Sequence, residues 1–474
     1  MAGDSVSAGV RGRPRRGDRS AGATCLRSLA VAVLPVVVAA LLLSGCGPGE
    51  SGGSDGVARR PEENSGEWGE PQGRWHNSGW MEVEPEEERG LTVEQRREFA
   101  RLRSLGYLPG SSPIPANTGV VVYDGRSACD GLNFHTSGHA PVAVLTDMEG
   151  RRLHRWRMSF EDAWNEQPGD SPPASIKSAG YWRRARLLED GSVLAIFEGL
   201  GLIKVDAESR LVWARFGGFH HDLDVNADGL IYVLTREPRI IPEIHAEMPI
   251  LEDFVAILDA DGNELRRVSV LEAFRGTQHE WFLDRAERHG DILHTNTVEL
   301  LDGRLAGRVP AFAAGNVLVT VRELGVIAVV DLDAGEVVWS MDGGWVKPHQ
   351  ATVLENGNLL IFDNRGNEGR SQVLEFDPVT GEVVWSYRGD TPDDFYSWEC
   401  GSCERLPNGN TLMTESDRGK AFEVTADGTL VWKFLNPMRA GDDLEFIATL
   451  FELVRLPEDF PDDWLDGGGD GRNR

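Results

Sequence analysis

The chain has 474 residues and a formal net charge of −28, with ordinary apolar and charged content but 55 glycines and 14 tryptophans. So acidic a surface excludes a nucleic-acid partner and electrostatic adhesion to anionic lipid headgroups, because phosphate-rich partners need clustered Lys and Arg. Many glycines and tryptophans point to many turns and many large anchors, and length does not count domains, since one β-propeller uses roughly 250–350 residues.

Residues 1–45 read as a lipoprotein signal peptide. Six arginines from Arg11 to Arg27 precede an apolar run from Leu29 to Leu43, and Leu43-Ser44-Gly45-Cys46 follows as a lipobox. Cys46 is then the lipidated first residue of the mature chain. The rival reading, an uncleaved membrane anchor, needs about 20 apolar residues, and Pro35 interrupts this run. Loss of six Arg and two Asp, a net +4, takes the charge to −32, so an anionic substrate needs a local cationic pocket. The chain is expected to be exported and lipid-anchored in the cell envelope, periplasmic or at the cell surface.

Residues 46–90 form an acidic tether rich in Gly, Ser, Pro and Glu, expected to be disordered. Residues 91–115 hold a short helix and a connector, because Thr92 and Gln95 make a T-x-x-Q capping box ahead of apolar residues at helical spacing. Residues 116–460 then repeat themselves, and 461–474 are expected to be a disordered tail.

Four segments of the repeat end alike, RLVWARF at Trp213, EVVWSM at Trp339, EVVWSY at Trp385 and TLVWKF at Trp432. Each follows a strand running into a short polar turn. AVLTDMEGRRLHRW at Trp156 and VAILDADGNELRRV near Arg267 fit with altered ends. Spacings of 46 and 47 residues between the last three tryptophans suit four short antiparallel strands and their turns, which is one propeller blade. Six such ends predict an all-β, six-bladed β-propeller, with FIATLFELVRL near the C-terminus completing the sheet of AVLTDMEGRRLHRW. The D-x-x-G-x-x-V-W cadence disfavours the rival, a pair of β-sandwiches.

Aligning the blades on their turn glycines brings out a constellation. His221 lies eight before Gly229 and His349 eight before Gly357, while ILHTNTVE matches KPHQATVL in step and adds His294. Three of eleven histidines would then start three inner strands near one mouth of the channel. Arg236 and Arg322 lie seven after Gly229 and Gly315, so each returns beside the start of an inner strand. Imidazoles beside guanidinium groups suit a small tetrahedral oxyanion. His220, next to His221, is expected on the opposite side of its strand and structural. Asn364 takes a channel-facing position, and Arg365 stands between rim contact and solvent.

Cys400-Gly-Ser-Cys403 fits a disulfide, or two spare thiols, better than half a zinc site, since no second C-x-x-C or C-x-x-H accompanies it. Asp224-Val-Asn226-Ala-Asp228-Gly resembles the start of a calcium loop, but Thr235 stands where the closing acid belongs, so a plain turn is the better reading. Phe395, Tyr396 and Trp398 form an aryl-accepting lip or pack between blades, with packing preferred. No cofactor or metal is called for.

From Gly119 to Leu456 the chain resembles the bacterial arylsulfate sulfotransferases. The likeness rests on GVVVYD, VLTDMEGRRLHRW, HHDLDV, DILHTNTVEL, NVLVTVRELGVIAVVDL, KPHQATVLENGNLLIFDN and RLPNGNTLMTES. The resemblance implies a six-bladed propeller that moves a sulfuryl group from an aryl sulfate to a phenol without a nucleotide sulfate donor. It implies that His349 becomes sulfated, that His221, His294 and Arg322 hold the sulfuryl oxygens, and that Asn296 orients His294. Arg236, Asn364 and Arg365 would complete the substrate contacts. Gln350 departs from the Asp that often follows the nucleophile, and an insertion follows His294. Two other classes stay open: a metalloenzyme with Zn²⁺ or Fe²⁺ on the three imidazoles, disfavoured by Arg322, and a non-catalytic tethered propeller that binds a partner or glycan.

Overall fold

The structure, a computed structural model, describes residues 90–164, 177–389, 391 and 394–466. The signal segment, Cys46 and nearly all of the tether lie outside the described residues. Helix α1 (Val93–Arg103) opens the described part. Thr92 Oγ1 accepts from Gln95 N and Gln95 Oε1 accepts from Thr92 N, so two N–H groups of the first turn are satisfied reciprocally.

The rest is mostly strand, with two short helices, Phe160–Trp164 and Val270–Phe274, and a small three-stranded sheet. Six sheets of four or five strands follow one another, each built on a four-stranded antiparallel ladder, and Gly290–Asp291 adds one short parallel pairing. Their leading strands are β1 (Arg184–Leu187), β2 (Phe219–Val225), β3 (Thr295–Leu300), β4 (Pro348–Val353), β5 (Ser402–Arg405) and β6 (Leu450–Leu456). β6 does not begin a new meander; it pairs with Leu132–Ser137 and so completes the sheet whose other three strands come from the beginning of the repeat region. Gly119–Tyr123 adds a fifth, outer strand to the sheet led by β5. Each sheet touches the next, and the sheet containing β6 touches both the sheet of β5 and the sheet of β1. All six leading strands line one cavity of about 1030 Å³.

The repeat cadence has a physical basis in the turns and in the tryptophans. At the outer turn of a repeat the Asp side chain accepts backbone N–H groups two and four residues on, as Asp147 does from Glu149 and Arg151 and Asp259 from Asp261 and Asn263. The turn glycine then takes a left-handed backbone, φ +81° at Gly150 and +79° at Gly262, which a side chain would strain. The tryptophan that follows reaches across to the adjacent sheet. Trp156 donates to Gly191 O, Trp213 to Ala260 O, Trp385 to Ala426 O and Trp432 to Met148 O, at 2.8 to 3.1 Å. Each indole therefore buries a large apolar body between two sheets and spends its one donor on a turn carbonyl.

One expectation is corrected at the end of the repeats. The tail read as disordered from residue 461 begins with a 3-10 turn, Asp463–Asp466, and the Trp464 ring lies 5.4 Å from that of Trp156, because an indole finds more apolar area there than in water.

Candidate active site

The cavity lining includes Arg184, Asp222, Thr297 and Gln350, so the residues just before these on β2, β3 and β4 stand at one end of it. Each of those strand starts is bulged. Register slips between Phe219 and Leu223, between Thr295 and Thr297, and between His349 and Thr352. A residue with positive φ sits at or beside each slip: His221 (+53°), His294 (+50°) and Gln350 (+48°). Such backbone costs about 1–2 kcal/mol for a residue with a Cβ, and bulges of this kind re-aim side chains beside functional sites. On the first two strands the strained residue is the histidine itself; on β4 it is the residue after. The equivalence read from turn spacing thus breaks by one residue, and His349 is presented differently from the other two.

His221 and His294 face each other with ring centroids 4.7 Å apart. Between their Nε2 atoms sits a phenol oxygen, the hydroxyl of Tyr107, 2.5 Å from His221 and 3.0 Å from His294. His294 Nδ1 lies 2.6 Å from Asp291 Oδ2, and His221 Nδ1 lies 2.7 Å from His220 Nδ1. Burial disfavours the Asp291 charge, but His294, Arg236 and His220 more than offset it and hold the carboxyl below its ordinary range. Burial, together with neighbouring cationic groups, holds His220 and His221 well below the usual imidazole range, so both are neutral. With Asp291 ionised it accepts from His294 Nδ1–H, and with His294 Nε2 serving as an acceptor the remaining contacts run in one direction. His220 Nδ1–H donates to His221, His221 Nε2–H donates to the phenol oxygen, the phenol O–H donates to His294 Nε2, and His294 Nδ1–H donates to Asp291. Asp291 and His294 form a base dyad aimed at a phenolic hydroxyl, and His221 is a donor to the oxygen left behind.

His349 is 3 % exposed, and its Nδ1 has two acceptors, Asn364 Oδ1 at 2.7 Å and Lys347 O at 3.1 Å. The Asn364 amide cannot be turned round, because its Nδ2 donates to Ser397 O at 3.0 Å and to Cys400 O at 2.9 Å. The proton of His349 therefore sits on Nδ1. Its Nε2 is buried and has no hydrogen-bond partner in the described structure. Burial, then Arg322, His294 and Arg183, hold this ring well below the ordinary range. The result is a neutral imidazole with a bare lone pair, the state a nitrogen nucleophile requires.

Two guanidinium groups serve this end of the cavity. Arg322 N donates to His294 O at 3.3 Å, its Nη1 pairs with Glu323, and its Nε is buried without a hydrogen-bond partner. Arg183 is 5 % exposed, lies 4.9 Å over the Tyr107 ring, and has no carboxylate at ion-pairing distance among the described residues. Among the described residues, the single hydrogen-bond contact of its guanidinium is a 3.9 Å approach to Cys400 Sγ. A buried cation with so little compensation favours an anion beside it.

The remaining predicted residues take other places. Asn296 does not touch His294; its Nδ2 donates to Pro348 O at 2.9 Å and so fixes the chain entering His349, while Asp291 takes the role of orienting His294. Arg236 is held by Glu198 Oε1 at 3.2 Å and donates to Leu105 O at 2.7 Å, so it fastens the segment carrying Tyr107. Arg365 stacks 3.6 Å over Trp398, while Phe395 is 1 % exposed and packed against Phe362 and Phe422. Gln350 accepts from Arg184 at 3.0 Å, part of a buried network with Asp222 and Glu452 beneath the histidines. Asn226 Oδ1 accepts from Asp228 N and Leu230 N, which makes that segment a plain turn.

One open choice is resolved and one expectation is corrected. Of a disulfide and two spare thiols, Cys400 and Cys403 are the thiols: Cys400 faces Arg183, while Cys403 Sγ faces Gln350 O at 3.7 Å and packs among Phe362, Met413 and Phe422. His220 is not turned away from the site, because the bulge at His221 interrupts strand alternation and leaves both rings inside. The three aligned histidines also do not make up a metal-ligand group; among the described residues that grouping is Glu198, His220 and His221, whose two Nδ1 atoms are hydrogen-bonded to each other.

Tyr107, Arg183 and Asp291 escaped the reading of the sequence, and His220 was placed on the wrong side of its strand. Tyr107 precedes the repeats and so has no counterpart to align with, whereas Asp291-Ile-Leu-His294 carried a usable signal in its three-residue spacing.

A family model for arylsulfotransferase (ASST) matches residues 184–437, more than half of the chain. No curated protein matches it. Similar solved structures include a Bacteroides caccae protein of unknown function, 12 % identical over 68 % of this chain and 98 % of that one with a TM-score of 0.43. A streptogramin B lyase is 13 % identical over 74 % and 96 %, with a TM-score of 0.40. The WD40 β-propeller domain of Doa1 is 12 % identical over 70 % and 88 %, with a TM-score of 0.38. The matched residues take in His221, His294, Arg322 and His349 with the strands that carry them, and the chain belongs to the arylsulfotransferase family.

Proposed function

We propose that this chain is an exported, Cys46-anchored enzyme on a closed six-bladed β-propeller. It transfers a sulfuryl group from an aryl sulfate to a phenol through a sulfohistidine on His349, with no nucleotide sulfate and no cofactor. The observation that carries the reading is the buried, unpartnered Nε2 of His349, whose other nitrogen is committed to Asn364. Arg322 and Arg183 supply positive charge for sulfate oxygens, and the His221–His294 pair grips a phenol oxygen in the resting protein. The cyclic order of sheet contacts supports the closed propeller. Six arginines, an apolar run and a lipobox support export and anchoring.

In the first half-reaction His349 Nε2 attacks sulfur in line, the S–O bond to the donor breaks, and the departing phenolate, its oxygen accepting from His221 Nε2–H, takes its proton from water. The guanidinium groups stabilise the equatorial oxygens as charge spreads over them. In the second half-reaction the acceptor phenol gives its proton to His294, steadied by Asp291, and its oxygen displaces His349 from sulfur. Ping-pong kinetics follow.

The test is phenol release from a chromogenic aryl sulfate, with and without an acceptor phenol. Acceptor should accelerate steady release, and His349→Asn should abolish it while the melting curve is retained. Transfer by His349→Asn at the parental rate ends this reading.

A further inference from the structure

Among the described residues Tyr107 is the one phenol hydrogen-bonded to the dyad, and its placement is built. Tyr181 Oη accepts from Tyr107 N at 2.9 Å and donates to Tyr107 O at 3.1 Å, and Arg236 holds the carbonyl of Leu105. Gly106 lets the segment approach closely, since a Cβ there would lie 2.3 Å from Ser178 Oγ and 3.2 Å from Tyr181 Oη and force them to shift. The segment lies at the surface, with Leu108 59 % exposed, while the Tyr107 ring points inward under Arg183. Arg183 lies 4.9 Å over the Tyr107 ring and 3.9 Å from Cys400 Sγ, and the Cys400 carbonyl accepts from Asn364, the partner of His349, so phenol and nucleophile are joined by one short set of contacts. Burial, then Cys400, pushes the Tyr107 hydroxyl well above the usual phenol range, so it keeps its proton until a base removes it.

Resting on the transfer chemistry above, we propose that Tyr107 is itself a sulfuryl acceptor: the enzyme sulfates its own tyrosine. The Tyr107 Oη–H proton passes to His294 Nε2 as the new Oη–S bond forms. The S–Nε2 bond to His349 breaks, and its electron pair returns to the imidazole. His221 Nε2–H donates to the oxygen throughout. The co-reactant is an aryl sulfate, which leaves as a phenol when it loads His349. The product is a tyrosine O-sulfate beside Arg183 and Arg322, with His349 free to be loaded again.

The experiment uses the purified chain with excess chromogenic aryl sulfate and no acceptor. Burst release should be about two equivalents of phenol per protein for the parent, one left on Tyr107 and one on His349, and about one for Tyr107→Phe. Tyr107→Phe removes only the hydroxyl, and its melting curve checks that it folds. Peptide mapping of the parent, which needs no variant, should place one SO₃ on the peptide containing Tyr107. A burst of one equivalent from the parent with that peptide unmodified overturns self-sulfation and leaves the sulfohistidine standing. No release from the parent, with or without an acceptor phenol, overturns both.

Discussion

Asn364 decides which nitrogen of His349 carries the proton, and this makes it the sharpest place to test the site. Asn364→Leu keeps the branched shape but removes three hydrogen bonds: the 2.7 Å acceptor for His349 Nδ1–H and the donors to the carbonyls of Ser397 and Cys400. A buried hydrogen bond contributes about 1–1.5 kcal/mol net, and a stranded buried carbonyl costs about 1–3 kcal/mol. With only Lys347 O left at 3.1 Å, the ring samples the tautomer that blocks Nε2. Because 1.4 kcal/mol is tenfold in rate, and loss of an orienting partner commonly costs about 10–100-fold, kcat should fall by about 10–100-fold with little change in KM. Stability should fall by about 2–5 kcal/mol. Asn364→Asp separates the two effects, since the carboxylate still accepts from Nδ1–H but cannot donate to either carbonyl. It should be destabilised like the Leu variant yet keep more of kcat. The assay pairs steady-state phenol release at saturating acceptor with urea unfolding. Parental kcat in the Leu variant, or equal loss of kcat in both, refutes the tautomer argument.

Asp291→Asn removes the charge behind His294 but keeps a side chain of the same shape, so acceptor-dependent turnover should fall about 10–100-fold while burst release of phenol survives; equal loss of both phases would show that Asp291 does not serve the acceptor step. Glu404, at the other end of the cavity, is pushed up by burial from 4.5 to about 7. The folded chain therefore holds this proton after the unfolded chain has released it, and stability should fall as pH rises from about 4.5 to 7. Glu404→Gln should match the parent at pH 4 and exceed it by about 1–3 kcal/mol at pH 8, and a difference independent of pH would refute the sign. Trp432 is 1 % exposed and donates to Met148 O, so Trp432→Ala should cost about 3–5 kcal/mol in urea unfolding. A cost under about 1 kcal/mol would mean that the indole does not tie its two sheets together.

The repeats were legible because each turn solves the same local problem: an Asp to accept N–H groups, a Gly to take positive φ and a Trp to cross to the neighbouring sheet. Histidines at matching distances from turn glycines could be picked out for the same reason. What spacing could not carry was the bulge. Counting residues assumes a regular strand, and the left-handed backbone at His221, His294 and Gln350 displaces side chains by one place, which brought His220 inside and gave His349 a bearing of its own. Contacts made across the molecule were also hidden. Arg183 stands beside Arg184 in sequence, and nothing there shows that Arg184 is paired with carboxylates while Arg183, among the described residues, is not; likewise only the fold brings Tyr107 114 residues along the chain to His221. Cys400 and Cys403 stayed open between a bridge and two thiols for a related reason: three-residue spacing permits a bridge but says nothing of where each thiol points.

The pairing of β6 with Leu132–Ser137 sets when this protein finishes folding. The two partners are separated by most of the repeat region, so during synthesis the earlier strand waits with an open hydrogen-bonding edge until the later one has cleared the ribosome. Until that moment the nascent chain is exposed to chaperones and to edge-to-edge association. A stop codon placed just before Leu450 would therefore yield an aggregating species, not a slightly shorter enzyme.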